Sequence, residues 1–100
     1  MNAFTWDIQK AIANFEKHGV RFEEATTVFV DPNGLDGDEP QHSAHERRRR
    51  RRRIGRSLAG RILFVVYTIR RRDYENETIR IISARQASRK ERQAYTRLAD

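Results

Sequence analysis

Apolar side chains recur at spacings of three and four near the start of the chain. Ile8, Ala11, Ile12 and Phe15 form one stripe within "TWDIQKAIANFEKHGV", the 3.6-residue signature of an amphipathic helix. Thr5 or Asp7 can accept hydrogen bonds from the free amides of the first turn, and Gly19 can take the left-handed conformation that closes the last turn. "RFEEATTVFVDP" predicts a second, shorter helix, with Phe22, Ala25 and Phe29 on one face and Val28 beside it. Its β-branched Thr26, Thr27, Val28 and Val30 weaken that helix, and Asp31-Pro32 ends it.

The period then changes. "NGLDGDEPQHSAH" is acidic and rich in turn signals, Asn33-Gly34 and Asp36-Gly37 among them, with room for one short strand. "IGRS" and "AGRILFVVYTI" predict two strands around a turn at Leu58, Ala59 and Gly60, and residues 61–69 are apolar on both faces, as in a central strand. "RRRDYENE" reads as a loop. "TIRIISAR" is the next strand, and strict alternation places Ile79, Ile81 and Ser83 on one face and Arg80, Ile82 and Ala84 on the other. "SRKERQAYTRLAD" predicts a final helix. Ser88 and Glu91 form its capping box, Ala94, Tyr95 and Leu98 a modest apolar face, and Arg89, Lys90, Arg92 and Arg97 the opposite one. The order predicts a single α+β domain over residues 1–100: a small antiparallel sheet of three to four strands with two N-terminal helices and one C-terminal helix, in two layers.

Charge changes the picture more than length does. The 100 residues carry +7, but unevenly: residues 1–46 hold three basic and nine acidic side chains, residues 47–100 eighteen basic and five acidic. A balance of −6 followed by +13 points the second half at a polyanion, either RNA, DNA or an acidic protein. Cysteine is absent, which excludes disulfides and thiolate metal sites. The longest apolar run, Ile62 to Tyr67, is far short of the ~20 residues that span a bilayer. With no secretory signal in "MNAFTWDIQK", the expectation is a soluble, cytoplasmic chain without a membrane partner.

"WDIQKAIANFEKHGVRFEEATTVFVDP", "HS", "IGRS", "GRILFVVYT", "IRIISARQAS" and "ERQAY" together resemble the BrnT family, toxins of bacterial type II toxin–antitoxin systems. The resemblance covers nearly the whole chain, apart from the arginine run and the loop 70–77. It implies a RelE-like fold, cleavage of RNA that halts translation, and a BrnA-like antitoxin that binds the toxin in a hetero-oligomer. One departure is plain. BrnT-like sequences place alternating apolar residues ahead of the "IG" pair, where this chain has seven arginines, Arg47 to Arg53. Unpaired charges cannot be buried cheaply. Arg47 to about Arg50 are therefore expected in an exposed loop or frayed strand end, and Arg51 to Arg53 in an edge strand with buried stems and solvated heads.

Cutting RNA without a metal requires holding a phosphate, neutralising the charge that builds on it, and moving two protons. Arginine suits the first two tasks, because its fork fits phosphate and stays charged. The third needs histidine, a carboxylate or tyrosine. Arg80 and Arg85 are the first candidates for phosphate, and "IRIISAR" supports them through the resemblance; otherwise each is a solvated strand arginine. Their odd spacing points them to opposite faces unless the strand twists. His18, Glu91 and Tyr95 complete the catalytic candidates. The structural alternatives are a helix C-cap for His18 and the capping box for Glu91. Lys10, Lys17, Arg61, Arg89 and Arg92 are RNA-binding candidates. His42 and His45 make a weak metal pair without a third ligand, so no metal and no cofactor are expected. Ser43 has no recognisable triad, and Trp6 and Tyr67 read as core. A non-catalytic basic nucleic-acid-binding module is the alternative to a ribonuclease, and a pure protein-interaction module is a third reading.

Overall fold

The computed structural model describes residues 3–39, 49–71 and 76–99. His42, Ser43, His45, Arg47, Arg48, the centre of the 70–77 loop and the side chain of Leu98 lie outside the described residues. Among the described residues the architecture is α+β, one sheet of five strands with three helices. The strands are β1 (Ala3–Thr5), β2 (Leu35–Asp38), β3 (Arg51–Arg56), β4 (Ile62–Arg71) and β5 (Glu77–Gln86), in the spatial order β1-β5-β4-β3-β2. The helices are α1 (Ile8–His18), α2 (Phe22–Thr26), which tightens into a 3-10 turn at Thr27–Val30, and α3 (Arg89–Ala99). Three expectations are corrected. The sheet has five strands rather than three or four; β1 pairs parallel to β5, so it is not purely antiparallel; and both of its faces are covered, so the domain is not two-layered.

The two faces follow from β4. Leu63, Val65 and Tyr67 pack with Val20, Phe22, Ala25, Val28, Ile79, Ile81 and Ala84. Phe64 and Val66 pack on the other face with Ile54, Ala87 and Tyr95. Phe22, Ala25 and Val28 recur every third residue, which suits the tighter 3-10 continuation. The hydroxyls of Thr26 and Thr27 add to the tightening by donating to the carbonyls of Glu23 and Glu24, each at 2.7 Å.

Helix α1 has the expected caps. Asp7 accepts from the Lys10 amide at 3.1 Å, and Gly19 closes the helix at φ 70°. Of its apolar stripe only Ala11 packs against the core, however. Ile8, Ile12 and Phe15 are exposed and line a groove of about 360 Å³ with Trp6 and Phe22. The face against the sheet instead carries Asn14. Its amide donates to the carbonyls of Val20 (3.0 Å) and Ala84 (2.8 Å), and its oxygen accepts from the Ala84 amide at 3.0 Å. Strand β1 covers β5 only from Thr78 to Arg80. Asn14 satisfies the β5 backbone beyond that point, where an open edge would otherwise bury unpaired groups.

The arginine run enters the sheet at Arg51, and β3 is an interior strand between β2 and β4, not the expected edge. Charge pairing makes this tolerable. Asp36 and Asp38 of β2 lie opposite Arg53 and Arg51, and Arg51 donates to Asp38 at 3.3 Å. Arg53 is enclosed, its side chain only 13% exposed. It donates to Asp36, to the carbonyl of Val28 at 2.8 Å and to that of Asp31 at 2.6 Å, with its guanidinium 5.5 Å from the Phe29 ring centre. Its head is therefore not solvated, contrary to expectation. The acidic first half and basic second half partly neutralise each other within the fold.

Candidate active site

Strand β5 carries the two arginines singled out by sequence. Opposite β4, Thr68 pairs with Arg80 and Phe64 with Arg85. Thr68 and Phe64 are four apart and share a face, so Arg80 and Arg85 share one too. The cause is a bulge: Val66 pairs with Ser83 but Tyr67 with Ile81, leaving Ile82 as an extra residue. Strict alternation therefore misassigned Ser83 and Ala84. Ala84 lies in the core with Ile79 and Ile81, while Arg80, Ile82, Ser83 and Arg85 take the other face.

A cleft of about 480 Å³ opens on that face, lined by Lys17, His18, Glu39, Arg50, Phe64, Val66, Ser83, Ala84 and Arg85. Asn14 sits one helical turn before His18, so its bonds to Ala84 bring the end of α1 against the strand that carries Arg85. The end of α1 is also electrostatically suited to Lys17 and His18, which meet the negative pole of the helix there. Glu39 joins from the residue after β2, where its amide donates to the Arg50 carbonyl at 3.0 Å. Sequence reasoning missed Asn14, Glu39 and Arg50. Asn14 lies off the apolar stripe of α1 and gave no local signal, and the other two depend on how β2 and β3 pair.

Arg85 is held from several sides. Its Nη1 and Nη2 donate to the two oxygens of Glu91 at 2.8 and 3.0 Å, Nη1 also reaches the Gln86 carbonyl at 3.2 Å, and its guanidinium carbon lies 4.2 Å from the Phe64 ring centre. Glu91 forms the expected capping box, accepting from the Ser88 amide at 2.8 Å while its own amide donates to Ser88 Oγ at 3.2 Å. Burial pushes the Glu91 carboxyl up, but the Arg85 and Ser88 bonds outweigh it and hold the group below the ordinary carboxylate range.

The other candidates are dispersed. Arg80 is exposed and outside the cleft lining, with no ion pair among the described residues. Tyr95 is buried and donates to Asp31 at 2.6 Å; burial first, then this bond, pushes its hydroxyl pKa up. That places Tyr95 in the core rather than the cleft. Tyr67 likewise donates to Asp36 at 2.6 Å, and burial with that bond pushes its hydroxyl up to about 12. Arg61 is engaged by Glu24 through Nε at 3.0 Å and through Nη2, which also reaches the Gly19 carbonyl at 3.2 Å. These bonds hold Glu24 below the ordinary range. Arg89 and Arg92 line a separate basic surface on α3 with Arg97, and Arg92 donates to the Ala87 carbonyl at 3.0 Å. Lys10 is exposed on α1. Among the described residues no three His, Asp or Glu side chains gather as metal ligands, and no helix is long and apolar enough to cross a membrane.

The family model described as "Ribonuclease toxin, BrnT, of type II toxin-antitoxin system" matches residues 6–91. The fold is similar to that of the Brucella abortus ribonuclease toxin BrnT, known from a 1.1 Å crystal structure. The TM-score is 0.55 at 23% identity, covering 89% of this chain and 99% of that one. Among curated proteins, none matches the sequence.

Proposed function

The chain belongs to the BrnT family of ribonuclease toxins of type II toxin–antitoxin systems, and on that premise we propose that the Arg85 cleft is a metal-independent endoribonuclease site of RelE-like type. One observation carries the assignment. Two separate elements, β5 and the end of α1, bring an arginine, a histidine and a lysine to one concave surface. In this reading the substrate's 2′-oxygen attacks the adjacent phosphorus and the bond to the 5′-oxygen breaks. A 2′,3′-cyclic phosphate and a free 5′-hydroxyl result. Arg85 holds the phosphate and offsets its growing charge; Lys17 steers the RNA backbone. His18 and Glu39 are the cleft's proton-transfer groups, one taking the 2′-hydroxyl proton and the other supplying a proton to the leaving oxygen.

The cellular consequence in this proposal is blocked translation in the cytoplasm, relieved when a BrnA-like antitoxin binds the toxin in a hetero-oligomer. The test is cleavage of RNA by the purified chain with EDTA present, alongside Arg85→Ala and His18→Gln. The expected result is metal-free cleavage with cyclic-phosphate ends, lost in both variants. Salt-sensitive RNA binding without product, from a folded chain, would instead mark a non-catalytic nucleic-acid-binding module.

A further inference from the structure

The guanidinium of Arg85 has five N–H donors. Three are taken, one by each Glu91 oxygen and one by the Gln86 carbonyl. Among the described residues this leaves Nε–H and the second Nη2–H. Glu91 takes the end-on edge between the two Nη atoms, so the remaining pair lies together on the side edge of the planar group. Two parallel N–H donors on one edge are what a phosphate binds bidentately. Phe64 covers one face of the plane, which leaves the group little freedom to rotate.

We propose that Glu91 is a positioning residue. It acts on the reaction through Arg85, presenting the Nε/Nη2 edge to the scissile phosphate. Glu91 is well placed for this. Its Oε1 is anchored by the Ser88 amide as well as by Arg85, so the arginine is referenced to the first turn of α3 rather than to a mobile side chain. The proposal rests on the ribonuclease reading above.

The experiment measures kcat and KM on a single-stranded RNA oligonucleotide, with thermal unfolding in parallel. Glu91→Gln can still accept from the Ser88 amide but no longer clamps the arginine with two anionic oxygens. Its kcat falls about tenfold or more, as expected for a misplaced binding group. Its KM does not rise, because a negative charge has left the side of Arg85, and its melting temperature falls by no more than that of Ser88→Ala. Ser88→Ala removes the hydroxyl side of the capping box without touching Arg85, so it lowers melting temperature and leaves kcat within about twofold. Glu91→Asp keeps the charge but draws the carboxylate back by one methylene. It loses kcat as Glu91→Gln does, and stands as the test if the latter folds poorly. An unchanged kcat in both Glu91 variants overturns the proposal. So does a loss of kcat that follows melting temperature equally in Glu91→Gln and Ser88→Ala, the mark of a merely structural role. Full activity in Arg85→Ala is a different result and removes the underlying site assignment.

Discussion

Replacing Arg53 by methionine tests whether the arginine run is structural where it enters the sheet. Methionine keeps much of the stem but removes every donor. The carbonyls of Val28 and Asp31 each lose a charged partner, and a hydrogen bond to a charged group contributes about 1.5–3 kcal/mol. The Asp36 contact is partly exposed and adds about 0–1 kcal/mol, and the Phe29 contact about 0.5–1 kcal/mol. Allowing for water reaching the freed carbonyls, the loss is about 3–4 kcal/mol. At roughly 4 °C or more per kcal/mol for a domain of this size, the melting temperature falls by about 12 °C or more. The control is Arg49→Met, a side chain 68% exposed that meets Asp38 only at 3.8 Å; its effect stays within about 0.5 kcal/mol. Thermal and urea unfolding followed by circular dichroism measure both. Equal losses for the two variants, or no loss at Arg53, would refute the idea that the fold itself holds this arginine.

Further outcomes follow from neighbouring contacts. Gly34→Ala places a Cβ inside the Arg53 guanidinium and costs about 1–3 kcal/mol; the cost shrinks in an Arg53→Met background, which a double-mutant cycle detects. Asn14→Ala strips the Ala84 amide and carbonyl of partners, costs about 2–3 kcal/mol and speeds hydrogen exchange at the Ala84 amide; an unchanged exchange rate contradicts the edge-covering role. Stability also falls with acid. Glu24 is held low chiefly by Arg61, and Asp31 and Glu91 are held low by hydrogen bonds that outweigh their burial. The unfolded chain therefore takes up these protons first. Their stabilisation is complete at neutral pH and drains away as pH drops below about 4 and on through the lowered folded values. A urea midpoint that stays constant from pH 7 to pH 3 contradicts this.

Local signals were the legible ones. Asp7, Gly19 and the Ser88–Glu91 box announced helix ends because each device is closed within a few residues. The two long strands stood out because β4 is apolar on both faces. What sequence did not reveal depends on partners distant in the chain. The stripe of Ile8, Ile12 and Phe15 identified a helix but not which side of it meets the sheet; Asn14, whose hydrogen bonds reach across to Ala84, decides that. The arginines of β3 looked unburiable until Asp31, Asp36 and Val28 were set against them. For the site, His18, Lys17 and Arg85 converge in the cleft as candidates, whereas Tyr95 and Arg61 serve contacts within the fold. Glu39 and Arg50 reach the cleft only through the pairing of β2 with β3, which no local pattern encodes.

The unpaired Ile82 gives β5 an unusual tolerance to a change in length. Were that one residue lost, Ile81 and Ser83 would become neighbours, and Arg80 and Arg85 would keep Thr68 and Phe64 as partners. The strand would straighten and give up the apolar contact of Ile82, but neither guanidinium would change sides. Loss of a residue elsewhere between the two arginines has no such reserve unless the extra residue is absorbed in its place. Two strands aligned by counting residues can thus fall out of step here while their arginines occupy the same positions in space.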